Sequence, residues 1–514
     1  MIITVLHKQI QAVGADALIL GLTEGDANVT GQVASVDTAL GSVDGLPGQG
    51  AISRLLHLGD FSGKLNELAV LYTNGLIPAP RVILVGLGKP DRVKVDHLRQ
   101  ASGAAVRRAR DLGCRRVASM AHGLGLKHID PADAAQATIE GALMGVWRFV
   151  AHKSGGNDRQ VEQLALIAPE AALVERMAAA ARAGEIVGSA VNISRDLICQ
   201  PANVMTPPAL ADAAATLARD AGLSCAILDE RAIAEHGMGG ILAVAQGSAH
   251  PPRFVILEHA GGPGQPLVFI GKGVTFDSGG LSLKEPAGME MMKADMSGAA
   301  AVIGALQAIA RLGLPRRVIG LAPLVENMPD GRAHRPGDVV KMMSGQTVEI
   351  ISTDAEGRMT LADALHFARR YQPAGVVDLA TLTGASVVAL GEGVAAALFA
   401  NDGAWAGAIR AAAGFSGERL WRLPLYPQYA GKMRSQVADL KNTAGRTAGV
   451  GASAYFLRRF VDGEGAYPWA HIDMAGMTFN PDSSGYQPKG PMGFGVRTLI
   501  RLASIFRTQG GGAV

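Results

Sequence analysis

Short apolar runs alternate with longer helix-compatible stretches along most of this chain. In the first third, the runs Ala17–Leu22, Leu68–Tyr72, Val82–Gly86 and Leu164–Ala168 predict strands. Between them, Asp96–Gly113 reads as a helix, and a second helix starts at the Asp130–Pro131 signal and runs to about Phe149. The segment from Ala171 to about Cys199 has no proline and little glycine, so it predicts one long helix, ended by Gln200–Pro201 and Thr206–Pro207–Pro208. The alternation then resumes. Helices are expected at Pro208–Gly222, Ser297–Leu312 and Leu361–Tyr371. Strands are expected at Phe254–Glu258, Leu267–Gly271, Val318–Leu324, Val348–Ser352 and Val376–Ala380. Fully apolar strands alternating with helices argue a mainly parallel sheet covered on both faces. The expected fold is α/β: an N-terminal α/β domain over 1–170, a linker helix over 171–199, and a larger α/β domain over 200–514.

Two segments concentrate charge in this apolar background. One is GKGVTFDSGGLSLK, residues 271–284, continuing to Lys293-Ala294-Asp295. The other is STDAEGR, residues 352–358. Each begins where an apolar run ends, so both are expected at strand carboxyl ends, where open α/β sheets bind ligands. If the second strand continues, Asp354, Glu356 and Arg358 share one face at a period of two. By itself that triplet also fits a surface turn with an internal ion pair. Gly273, Gly279 and Gly280 flank Asp277 and let the backbone approach a bound group closely. Asp295 could equally be a favourable charge at a helix start. Four carboxylates in one cleft would repel and protonate unless compensated, and two divalent cations would supply the balance. Oxygen ligands suit Zn²⁺, Mn²⁺, Mg²⁺ or Co²⁺ alike. The 12 histidines form no HExxH set, which disfavours a single-zinc protease of that kind.

These motifs resemble those of the leucyl aminopeptidase (cytosol aminopeptidase) family of dinuclear metallopeptidases. KADMSGAA at 293–300, VNISRDLICQPANVMTP at 191–207, GMGGILAVAQGS at 237–248, DLATLTGA at 378–385, ERLWRLPL at 418–425, ADLKNTAGR at 438–446 and GFGVRTL at 493–499 extend the likeness over roughly 185–500. The resemblance implies two divalent metal ions per subunit, Mn²⁺ or Zn²⁺. One would be held by Asp277, Asp354 and Glu356, the other by Lys272, Asp277, Asp295 and Glu356. It implies Lys284 and Arg358 as the catalytic pair, with bicarbonate at Arg358 relaying protons. Met292, Thr381, Leu382 and Gly384 match substrate-cleft positions; for Met292, ordinary core packing is the alternative. The implied activity removes N-terminal, leucine-like residues from peptides with a free N-terminus, through a water activated by the two metals. A cytoplasmic homohexamer is also implied. Two positions depart from the family pattern: Ser352 replaces an Asn, and Glu285 replaces a Pro.

Composition narrows the alternatives. The chain has 514 residues, 48% hydrophobic and 18% charged, with net charge +3. That excludes wholesale disorder and gives no electrostatic case for a general nucleic-acid coat. The three cysteines suit a reducing compartment. No signal peptide is expected, and the apolar stretch Val376–Ala400 is interrupted by Asp378 and Glu392, so no membrane span is expected either. A catalytically silent relative binding DNA or another partner through its N-terminal domain is the rival reading. Its local support is the cluster Arg107, Arg108, Arg110, Arg115 and Arg116, which also reads as a solvated helix face. A nucleotide-binding enzyme finds only two incomplete G-x-G starts, at Gly86 and Gly271.

Overall fold

The computed structural model describes residues 1–25, 31–41, 50–155, 159–445, 447 and 449–506. Contacts divide the chain into two compact units. The first is Met1–Asn192 with Asn480–Gly490; the second is Ile193–Phe479 with the chain from Pro491 on. The expected long helix is present over Val174–Cys199.

The first unit is built on six strands: β1 (Ile2–His7), β2 (Ala17–Leu22), β3 (Leu68–Tyr72), β4 (Arg81–Gly86), β5 (Arg116–Met120) and β6 (Gln163–Ala168). Their order is β1-β6-β5-β2-β4-β3, and all pair in parallel except β3 against β4. Side chains alternate between faces, as the strand period requires. Ile19, Ile83 and Val117 join Leu98 and Ala105 of the Val95–Asp111 helix in one core. Leu18, Leu20, Val82 and Leu84 join Val36 and Ile52 in another. The Pro131–Val146 helix starts where its signal lies: Asp130 accepts from the Ala132 N–H, and Pro131 fills the first turn. Much of the basic cluster in this unit is engaged. Arg115 pairs with Glu162, Arg116 with Asp16 (3.2 Å) and Arg110 with Asp111 (2.9 Å), while Arg107 donates to the Gly485 carbonyl (2.8 Å).

The second unit carries a nine-stranded sheet and a small three-stranded one. The strands are β7 (Ser224–Leu228), β8 (Arg253–Ala260), β9 (Leu267–Gly271), β10 (Gly273–Asp277), β11 (Arg317–Asn327), β12 (Val339–Lys341), β13 (Thr347–Glu349), β14 (Gly375–Ala380), β15 (Ala396–Ala400), β16 (Leu420–Arg422), β17 (Leu440–Lys441) and β18 (Trp469–Asp473). The large sheet runs β16-β15-β18-β14-β9-β11-β8-β7, with β10 also on β11. Its centre, β18-β14-β9-β11, is parallel, and antiparallel pairings lie toward the edges at β15–β18, β11–β8 and β7–β8. The expectation of a mainly parallel α/β fold therefore holds. Every residue of β9 and β14 is buried, which explains the unbroken apolar run of β9; in β14 the one charged residue, Asp378, is partnered by Trp469 Nε1 (2.7 Å) and by the His471 ring.

One strand assignment needs correction. Val348–Ser352 is not a strand along its whole length and does not join the large sheet. The chain pairs only over Thr347–Glu349, in the small sheet β12-β13-β17. A turn at Gly345 folds β13 back on β12, and the Asn442 side chain then accepts from the Ile351 and Ser352 N–H groups, ending the ladder. Among the described residues no helix is long and apolar enough to cross a membrane. The three cysteines are unbridged.

Candidate active site

Three chain segments converge on one cavity of about 1190 Å³ in the second unit. Lys272 sits in the break between β9 and β10. Asp277 closes β10, and the turn after it (Gly279 φ +86°, Gly280 φ +65°) carries the chain to Lys284. Asp295 lies just before the Ser297–Arg311 helix. The third segment departs from the expected geometry. Asp354, Glu356 and Arg358 do not alternate along a strand: residues 352–356 form a turn, Glu356 precedes the Gly357–Ala368 helix, and Arg358 lies inside it. The triplet still converges because a tight turn followed by a helix start presents all three to the same cavity.

The loops are stitched together. Thr353 Oγ1 donates to the Gly279 carbonyl (2.6 Å) and accepts from Ser282 N–H (2.7 Å). Asn327, at the end of β11, donates through Nδ2 to Asp277 Oδ1 (2.8 Å) and to the Thr353 carbonyl (3.1 Å). One amide thus fixes Asp277 relative to the Asp354 turn.

The charges form two lysine-centred groups. The buried Lys272 ammonium contacts Asp295 at 2.7 and 2.8 Å, Glu356 at 2.7 Å and the Thr381 carbonyl at 3.2 Å. Lys284 Nζ meets Asp277 at 2.8 Å and also pairs with Asp354. Burial opposes both ammonium charges, but the surrounding carboxylates outweigh it and hold both lysines above the ordinary range. The acids cannot all be satisfied. Burial, then repulsion from neighbouring carboxylates, raises Asp354 to about 6 and pushes Asp277 upward, while burial lifts Asp295 well above the usual carboxylate range. Glu356 goes the other way: burial works against its charge, yet Lys272 and Lys284 draw it down to about 2. Oxygens of Asp277, Asp354 and Glu356 lie within 4.8 Å of one another. Asp295 Oδ2 meets Lys272 only as an ion pair and receives no hydrogen bond. A compact oxygen-rich donor set short of positive charge is what hard divalent cations bind.

Arg358 is buried. Its Nη1 donates to the Asn442 carbonyl (2.8 Å), its Nε has no partner, and burial lowers its pKa to about 10. Met292, Thr381, Leu382 and Gly384 all line the cavity. Thr381 Oγ1 donates to Asp295 (2.7 Å), and Asp473 at the end of β18 accepts from the Leu382 N–H (3.2 Å) and Thr383 Oγ1 (2.6 Å). Sequence reasoning missed Asn327, Asn442 and Asp473. Only Asn442 carried a signal, its place in ADLKNTAGR. Ser352, one of the two departures, accepts from Asp354 N–H (3.3 Å) and so helps shape the turn. Arg446, which closes that same motif, lies outside the described residues.

Residues 192–500 match the catalytic domain of the cytosol aminopeptidase family, and residues 19–156 match that family's N-terminal domain. A probable cytosol aminopeptidase of Geobacter sulfurreducens (strain ATCC 51573 / DSM 12127 / PCA) is 45% identical over 97% of this chain and 98% of its own length. Another, from Alkaliphilus oremlandii (strain OhILAs), is 38% identical over 98% of this chain and 99% of its own. Among solved structures, the bottromycin maturation enzyme BotP in complex with Mn superposes with a TM-score of 0.83, at 37% identity over 95% of this chain and 99% of that one. A tomato leucine aminopeptidase mutant superposes at 0.85, with 32% identity over 98% and 96%. The protein is a peptidase, a hydrolase acting on peptides. Within that class, the chain belongs to the cytosol aminopeptidase family, and its activity is that of an aminopeptidase.

Proposed function

We propose that the cavity releases leucine-like N-terminal residues from peptides with the help of two divalent cations, Mn²⁺ or Zn²⁺. The observation that carries this reading is the convergence of four carboxylates on two lysines, with three of the acids offering oxygens within 4.8 Å of one another. Asp277, Asp354 and Glu356 would hold one cation; Lys272, Asp277, Asp295 and Glu356 would hold the other. As a ligand Lys272 must give up its proton, which a neighbouring dication drives. When bound, such ions acidify water and polarise a carbonyl.

The chain's own groups do the rest. Lys284 reaches the cavity beside Asp277 and Asp354 and supplies a preorganised cation for charge developing on the scissile carbonyl oxygen. Arg358 is a poor base, because its guanidinium stays protonated near neutral pH even with its pKa lowered to about 10. Its unpartnered Nε suits an anion, bicarbonate in this proposal, which would carry protons. Met292 and Leu382 offer an adaptable apolar wall for a leucine-like side chain. A cytoplasmic homohexamer completes the reading. The rival, DNA binding through the first unit, loses support from the ion pairs that engage its arginines.

The test is hydrolysis of leucine p-nitroanilide with added Mn²⁺ or Zn²⁺. A chelator should abolish turnover and either cation restore it. Lys284→Ala should lower kcat by roughly 10²–10³-fold, the range seen on removing one oxyanion donor, with bound metal retained. Turnover that survives chelation with no metal bound would remove the proposal.

A further inference from the structure

Five acidic residues line the cavity, and four of them belong to the cluster just described. The fifth is Glu392, exposed on the turn after the Gly384–Leu390 helix. Among the described residues no hydrogen bond or ion pair engages its carboxylate. Arg419 donates instead to the neighbouring Gly393 carbonyl (3.3 Å). Val387, Val388 and Val450 also line the cavity and give it an apolar surface, with Val388 88% exposed.

The helix serves as a ruler. Its start follows directly on Thr381 and Leu382, where Thr381 touches Asp295. From Gly384 to Leu390 the rise is about 9 Å at 1.5 Å per residue. An extended peptide advances ~3.3–3.6 Å per residue. A substrate running along this helix with its amino-terminal residue at the acid cluster would bring its third or fourth residue level with Leu390, so a long side chain on its second or third residue reaches toward Glu392 just beyond. A lysine or arginine there can lay its methylene stem along the valine wall and place its charge at the carboxylate.

We propose that Glu392 makes this enzyme prefer peptides with a cationic side chain at the second or third residue and disfavour an acidic one there. The proposal rests on the aminopeptidase reading of the cavity. The carboxylate is exposed, so its effect is that of a surface ion pair, on the order of two- to fivefold in kcat/KM per charge. It fades as salt rises beyond about 0.15 M, where the screening length is ~8 Å.

The experiment compares kcat/KM for the amidated peptides Leu-Ala-Lys, Leu-Lys-Ala, Leu-Ala-Ala and Leu-Ala-Glu at low and high salt, on the metal-loaded enzyme. In the wild type a lysine peptide should be cleaved several-fold better than the glutamate peptide at low salt. Glu392→Gln should bring the ratio close to one, and Glu392→Lys should invert it. A shift in a ratio between substrates is not produced by a general loss of folded enzyme. Equal cleavage of all four peptides by the wild type overturns the inference and leaves the aminopeptidase reading standing, as does a preference that both variants retain. Failure to cleave any of them overturns that reading, and the inference with it.

Discussion

Gly357 lies against the side chain of Lys272 so closely that a Cβ built on it would sit 2.3 Å from Lys272 Cε and 2.6 Å from Nζ. The helix carrying Arg358 can start beside Glu356 only because its first residue has no side chain. Lys272 is buried and tied to Asp295 and Glu356, so it has nowhere to retreat. Gly357→Ala should therefore displace either the lysine or the helix start. Overpacking of this kind costs about 1–3 kcal/mol, and the cost falls on the groups proposed to hold the second cation. A lower Tm together with weaker Mn²⁺ binding by calorimetry is the expected result. Unchanged metal affinity would mean that Lys272 plays no part in holding a cation.

Asn442 joins the Asp354 turn to Arg358. Its Oδ1 accepts from Ile351 and Ser352, its Nδ2 donates to the Ser352 carbonyl (2.7 Å), and its own carbonyl receives Arg358. It contacts none of the proposed ligands, so it is a positioning residue. Asn442→Ala should reduce kcat by roughly 10-fold or more, as misplacement of reacting groups does, with KM little changed. It should also weaken any stimulation of turnover by added bicarbonate. Asn442→Asp keeps the acceptor but loses the Nδ2 donor, and it should recover only part of the rate. If all three enzymes respond equally to bicarbonate, Asn442 does not act through Arg358.

The sequence exposed the acids and hid their supports, for a physical reason. Asp277, Asp295 and Glu356 stand out because they are charges among apolar and glycine neighbours, a purely local contrast. Asn327, Asn442 and Asp473 are ordinary turn and strand-end residues whose partners lie 50, 84–91 and 90–91 positions away in the chain. No local pattern marks such pairings. Of the strands buried on both faces, Leu267–Gly271 was legible to the residue and Gly375–Ala380 to within one residue of its start. The strands Ile2–His7 and Arg116–Met120 were not: the first is largely exposed, and the second opens with a charged residue directly after Cys114-Arg115. The even spacing of Asp354, Glu356 and Arg358 suggested a strand, but a turn and a helix start can deliver the same convergence.

His122 gives the first unit a pH-dependent weakness. The side chain is wholly buried just after β5, neither ring nitrogen has a partner, and burial alone lowers its pKa from 6.5 to about 4. Between those values the unfolded chain binds the proton and the folded one does not, so stability rises with pH there. The contribution is intact above pH 6.5 and lost as pH falls toward 4. The full shift corresponds to roughly 3 kcal/mol at 1.36 kcal/mol per pKa unit. Urea unfolding followed from pH 7 to 4 should show a steeper loss for the wild type than for His122→Gln. Parallel curves would mean that the imidazole keeps its ordinary pKa in the fold.

Asp473 secures the loop that carries three of the proposed substrate contacts. Its carboxylate takes the Thr383 hydroxyl and the Leu382 N–H, and Thr381, next along the loop, offers its carbonyl to Lys272 and its hydroxyl to Asp295. The loop is therefore held from both ends, by the sheet through Asp473 and by the charged cluster through Thr381. Removing one end should loosen the apolar wall more than it disturbs the acids. Asp473→Asn should raise KM for leucine p-nitroanilide several-fold, with a smaller fall in kcat and metal content unchanged. Thr383→Val removes the hydroxyl from the same bond. The double variant should then cost clearly less than the two single costs summed, with a coupling of about 0.5–3 kcal/mol, as neighbouring groups in one network show. Strict additivity would mean that the two residues act separately and that Asp473 does not position the loop through Thr383.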